Sequence, residues 1–176
     1  MSNGKKTITR SFRISQEAFD ALKEDAERRN ITVNTLVNQI FLVHKNFDRY
    51  FERMGLVKLS ATTFDLLLAA ASKDEIIETA RRVGEDAPRT IMMAKNGSIS
   101  SQTIFDFLKS MSEYAKWFEY NEVDSSDGRK VITLMHRLGQ NGSLFLIHYA
   151  KAIFGGIGLE PKVSSSEHSI VLEVRP

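Results

Sequence analysis

The chain contains no cysteine. That excludes a disulfide scaffold, thiolate zinc fingers, iron–sulfur clusters and thiol catalysis. Long apolar runs are also missing: none approaches the roughly 18 residues that a membrane helix needs. The opening Met1-Ser-Asn-Gly-Lys-Lys has no apolar stretch of the signal-peptide kind. The expectation is a cytoplasmic protein with no membrane partner. Net charge is scarce too, with 24 Lys+Arg against 22 Asp+Glu. What is present is enough apolar material to fold: of 176 residues, 42% are hydrophobic and 26% charged. Such a chain can bury a core and is not disordered by composition. Its length allows one domain, or a small one followed by a medium one.

The small net charge is unevenly placed. Residues 1–60 hold 11 basic and 7 acidic side chains, whereas residues 61–176 hold 13 basic and 15 acidic. Lys5, Lys6, Arg10 and Arg13 face no acid within the first 13 residues. A basic head on a mildly acidic body fits a head that meets a polyanion, and a solvated terminus fits the charge alone as well.

Hydrophobic periodicity divides the chain. Thr7-Ile-Thr-Arg-Ser-Phe-Arg-Ile14 alternates as a strand, with Ile8, Phe12 and Ile14 on one face and Thr7, Thr9, Ser11 and Arg13 on the other. Ser15 caps a helix to about Arg29 with the stripe Ala18, Phe19, Leu22 and Ala26, and Asn30 suits a left-handed C-cap. A second helix starts near Thr32 or Asn34 and runs to Met54. Val33, Val37, Ile40, His44, Phe47, Phe51 and Met54 recur on it at a mean spacing near 3.5, which marks a coiled-coil seam. So broad an apolar face cannot satisfy itself in a unit of this size, and a second copy is expected to cover it.

Beyond Gly55 the pattern changes. Leu56–Leu59 reads as a short strand or an extended connection. Ser60 caps a helix with Phe64, Leu67, Leu68 and Ala71, and Ser72-Lys-Asp-Glu75 opens another that stops at Gly84. Pro88 suits the first turn of the next segment, closed by Asn96-Gly97. Ser98 or Ser100 caps a helix through Ile104, Phe107, Leu108, Met111 and Ala115. Trp117–Val123 and Arg129–His136 flank a turn at Asp124–Gly128, and an apolar helix over Ser143–Phe154 starts from Asn141 or Gly142. Glu160–Ser164 and Ser169–Val174 form a second hairpin. The expected fold class is α+β, with domains 5–54 and 56–176, the second a helical layer on a hairpin–helix–hairpin antiparallel sheet.

Strand, short helix, tight turn and longer dimerising helix occur in that order within about 50 residues. Through Thr9-Arg-Ser-Phe-Arg-Ile-Ser15 and Arg29-Asn-Ile-Thr-Val-Asn34 the chain resembles the ribbon-helix-helix family of prokaryotic DNA-binding regulators, which contains Arc-type and MetJ-type repressors. The resemblance covers residues 5 to about 50, and Arg10 falls where relatives hold an apolar residue. It implies an intertwined homodimer, or a higher oligomer, bound to double-stranded DNA. Two strands pair into a ribbon that fits the major groove. Thr9, Ser11 and Arg13 match the base-reading positions. Lys5, Lys6 and the free N–H groups of Thr32, Val33 and Asn34 would hold phosphates. Phe12, Ile14, Val37, Ile40, His44 and Phe47 would form the dimer core. Taken singly, Thr32 and Asn34 are plain helix caps and Arg13 an exposed strand residue; the ordered set is what points to DNA.

Nothing in the second domain resembles a catalytic site. His136, His148 and His168 lack metal-type spacing. Gly139-Gln-Asn-Gly142 is neither a P-loop nor a dinucleotide fingerprint, Asp124 and Asp127 are turn residues, and Ser164–Ser166 have no assembled triad. Trp117, Phe118 and Tyr120 read as core filling before they read as a pocket. The expected function is a transcriptional regulator, with repression the favoured sense, without enzymatic activity, cofactor or metal. Its second domain would bind a small-molecule or protein effector or extend oligomerisation. One alternative is an antitoxin-like interaction component with an autoregulatory DNA-binding head; the other is an enzyme tethered to DNA or fused to a dimeriser, against which the missing catalytic constellation counts.

Overall fold

Five hydroxyl side chains set where the first five long helices begin. In a computed structural model describing residues 7–52, 55 and 57–175, Ser15, Thr32, Ser60, Ser72 and Ser100 all sit in extended backbone. Each accepts the N–H three residues on. The helices that follow are α1 (Gln16–Arg28), α2 (Val33–Val43), α4 (Ala61–Ala69), α5 (Lys73–Asn96) and α6 (Ser101–Ser110), with the one-turn α3 (Arg49–Phe51) between α2 and α4. π turns at His44–Asp48 and Met111–Ala115 follow α2 and α6. Then come β1 (Glu119–Asp124), β2 (Lys130–Met135), α7 (Gly139–Gly155), β3 (Lys162–Ser165) and β4 (Ser169–Val174).

The architecture is mixed helix and strand, as expected, with four antiparallel strands in the order β1-β2-β4-β3. Gly128, at φ 80°, closes the first hairpin. Ile132 lies opposite Leu172 and Leu134 opposite Ile170, so all four share the inner face and are fully buried. Ile104, Phe105 and Leu108 of α6 and Leu146 and Phe154 of α7 belong to the same buried core as this face, and Ile76 of α5 joins that core. The helical layer and the two hairpins around α7 match the sequence reading.

The chain divides into two units, one ending at Lys45 and the other running from Asn46 to the C-terminus. The division falls inside the long second helical run rather than after it. Phe47 is the reason: it is 3% exposed, stacks on Phe51 at 4.0 Å between ring centres, and belongs to the core of the second unit.

Two expectations change. The helix expected to stop at Gly84 and restart at Pro88 is a single 24-residue helix. Gly84 is there for a close approach: a Cβ on it would lie 2.6 Å from the Tyr149 carbonyl oxygen and 2.8 Å from the Ala152 Cβ. Pro88, one turn on, lacks the N–H that would bond the Gly84 carbonyl, yet it is buried and the helix continues past it. The second change concerns Thr7–Ile14, which forms no strand in the single chain; among the described residues the first regular element is α1. A two-stranded ladder needs a second strand, and this expectation supplied it from a second copy.

Candidate nucleic-acid interface

The first unit is short of core. Among its described side chains only Ala26 and Leu36 are buried. α1 and α2 are joined by a tight turn in which Asn30 takes φ 53°, the Asn30 N–H donates to the Glu27 carbonyl and the Ile31 N–H to the Ala26 carbonyl. Against this small contact stand Ile8, Phe12, Ile14, Phe19, Ile40, Phe41 and Leu42, all between 41% and 74% exposed. Covering them is worth roughly 1 kcal/mol each, or about 5–10 kcal/mol together. That is of the same order as the entropic cost of bringing two chains together.

Thr9, Ser11 and Arg13 are exposed, as are all described residues from Thr7 to Ala21. Among the described residues Arg10 reaches the neighbouring Thr9 carbonyl, at 3.4 Å. Phe12 is the one residue of this segment that meets an aromatic partner, the Phe41 ring, 6.0 Å away and tilted by 59°. Lys5 and Lys6 lie outside the described residues.

The start of α2 is capped by Thr32, as α1, α4, α5 and α6 are capped by their own hydroxyls. Thr32 Oγ1 accepts the Thr35 N–H at 3.1 Å and shares a 2.9 Å hydrogen bond with Thr35 Oγ1. The Leu36 N–H donates to the Thr32 carbonyl. Among the described residues no acceptor takes the N–H groups of Thr32, Val33 or Asn34. These groups, at the positive end of the helix dipole, suit a phosphate oxygen.

The residues expected in a dimer core fall into two sets. Phe12, Ile14, Ile40 and His44 are exposed and Val37 half-buried, so they are available to a second chain. Phe47 is used within its own chain, beside Phe51 and 5.8 Å from the Tyr114 ring. Asn46 supports that contact by donating to the Tyr114 hydroxyl at 3.0 Å. Phe41 and Leu42 were missed by the seam, although Ile40-Phe-Leu-Val43 was a sign: four consecutive apolar residues on a helix cannot share one stripe.

The side chains weighed in the second unit have local roles. The N–H of Leu138 donates to His136 Nδ1 at 3.2 Å. The Ser143 hydroxyl donates to the Ser166 carbonyl at 2.6 Å, so it accepts from the His136 Nε2–H, 2.9 Å away. Burial, and then the nearby His168, holds the His136 pKa below its usual value and keeps this tautomer neutral. Across the first hairpin Asp127 pairs with Arg129 at 2.6 Å and Asp124 with Lys130 at 2.7 Å. Trp117 packs with Phe64, Phe145 and Tyr149. Among the described residues no three His, Asp or Glu side chains gather as a metal site would require, and no helix is long and apolar enough to cross a membrane.

Compared with known proteins, the chain matches no family model and no curated protein.

Proposed function

We propose that the chain acts as a homodimeric, sequence-specific DNA-binding regulator whose reading element is a two-stranded ribbon made from residues 7–14 of two copies. The observation that carries this reading is the composition of the exposed surface. Ile8, Phe12 and Ile14 alternate with exposed Thr9, Ser11 and Arg13 in a unit of whose described side chains only two are buried. Pairing two such segments buries the apolar face and leaves the polar face outward, at a width that the major groove accepts. The Arg13 guanidinium can bond a guanine edge with two parallel N–H donors, while Thr9 and Ser11 donate or accept. Thr32, Val33 and Asn34 anchor the backbone and carry no sequence information. The second unit, larger than the first, would bind an effector or partner or join dimers on neighbouring sites.

The test begins with sequences selected from a random duplex pool by the purified chain. Sedimentation should give a dimer, and a mobility-shift assay a single preferred site. Arg13→Ala should keep the dimer and cost about 1–3 kcal/mol of discrimination, roughly 5- to 150-fold, at one base pair per half-site. A monomer in sedimentation, or an Arg13→Ala protein with unchanged site preference, overturns the assignment.

A further inference from the structure

α5 and α7 cross at Gly84, and beside the crossing they enclose a cleft of about 470 Å³. That volume lies in the range of small-molecule sites. Its inner wall is apolar, formed by Met92, Ile99, Ala152 and Ile153. Its rim is basic: Arg81, Arg89 and Lys151 against the single acid Glu85, with the His148 imidazole among them. Arg81 is already engaged, at 2.9 Å from Glu78 and 2.8 Å from Glu85, so these charges largely cancel. Arg89 and Lys151 make no ion pair among the described residues and are exposed. An excess of positive charge therefore faces an apolar pocket.

Two further features shape the site. Burial and the neighbouring Lys151 ammonium hold the His148 pKa below its ordinary value, so this imidazole stays neutral beside the cations. The C-terminal end of α7 caps part of itself. The Ala152, Phe154 and Gly155 carbonyls accept from Gly156, from Ile157 and Leu159, and from Gly158 respectively. The opening is kept clear by Gly155, where an added Cβ would meet no atom within 4 Å.

We propose that this cleft binds a small organic acid, its carboxylate or phosphate facing Arg89 and Lys151 and its apolar body lying on Met92, Ile99, Ala152 and Ile153. The site lies wholly within the second unit and stands whether or not the first unit binds DNA.

The experiment is isothermal titration of the full chain, without DNA, with 2-naphthoate, 2-naphthyl phosphate, 2-naphthol and inorganic phosphate. At least one naphthyl acid should bind at one site per chain, and the more tightly bound of the two identifies the head group. Naphthol, which lacks the charge, and inorganic phosphate, which lacks the apolar body, should each bind at least tenfold more weakly. Arg89→Gln with Lys151→Gln should bring the acid down to the affinity of naphthol. Gly155→Leu, whose side chain enters open space, should weaken the acid tenfold or more while the circular dichroism spectrum stays unchanged. The proposal is overturned if neither acid binds, or if naphthol equals the acids. It is equally overturned if the Arg89/Lys151 variant binds as the parent does, which would place the ligand elsewhere, as on the exposed apolar surface of the first unit.

Discussion

Gly84→Ala isolates what holds the second unit together. In an exposed helix interior this change adds about 1 kcal/mol of stability, because alanine loses less backbone freedom than glycine. At position 84 the new methyl arrives 2.6 Å from the Tyr149 carbonyl oxygen and 2.8 Å from the Ala152 Cβ. Neither atom is the end of a flexible side chain, so α5 and α7 must separate along a contact that also includes buried Ala80, Pro88 and Ala150. Overpacking of this kind costs roughly 1–3 kcal/mol. With a rigid backbone oxygen as the obstacle, the upper half of that range applies, and the net loss is about 1–2 kcal/mol. For a domain of this size the melting temperature should fall by about 2–8 °C. The only tryptophan, Trp117, lies 5.8 Å from the Tyr149 ring, so its fluorescence in a urea titration follows this helix pair directly. Gly155→Ala is the control, since it makes the same chemical change where no atom lies within 4 Å, and it should leave the midpoint unchanged or raise it. A Gly84→Ala protein as stable as the parent would refute the close-approach argument.

The buried polar bridge gives two more expectations. Ser143→Ala leaves the His136 Nε2–H and the Ser166 carbonyl without their partner and should cost about 1–3 kcal/mol by urea unfolding. Folding also depresses the pKa values of His136 and His148 below the ordinary 6.5. The unfolded chain therefore takes up protons first as pH falls. Stability is complete above about pH 6.5 and declines below it, until the folded imidazoles themselves protonate. A second decline begins lower, below about pH 4.5, as Glu122 loses the charge stabilised chiefly by its hydrogen bond from Lys109, then by that from Tyr120. Flat urea midpoints between pH 7 and pH 5 would contradict the His136 assignment.

The local grammar of this chain was legible, and the long-range contacts were not. Each cap at Ser15, Thr32, Ser60 and Ser72 could be read because a hydroxyl and the N–H it satisfies lie within four residues, although Thr32 stood beside Asn34 and Ser100 beside Ser98 as choices. The hairpin at Gly128 was legible for the same reason. Gly84 was misread as a stop because its reason, Tyr149, is 65 positions away. Phe47 fitted a seam spacing that two different partners could satisfy, and only three-dimensional proximity to Tyr114 shows the one used here. The cleft was invisible to motif reading, since Arg89 and Lys151 come from separate helices with no fixed spacing between them.

The order of the strands leaves β1 and β3 at the margins of the sheet. β1 carries Glu119, Glu122 and Asp124, while β3 is only four residues long and follows directly on Pro161. Short length, like charge and an adjoining proline all discourage a foreign strand from docking there. Concentrated solutions of this protein should thus resist fibre growth through sheet extension.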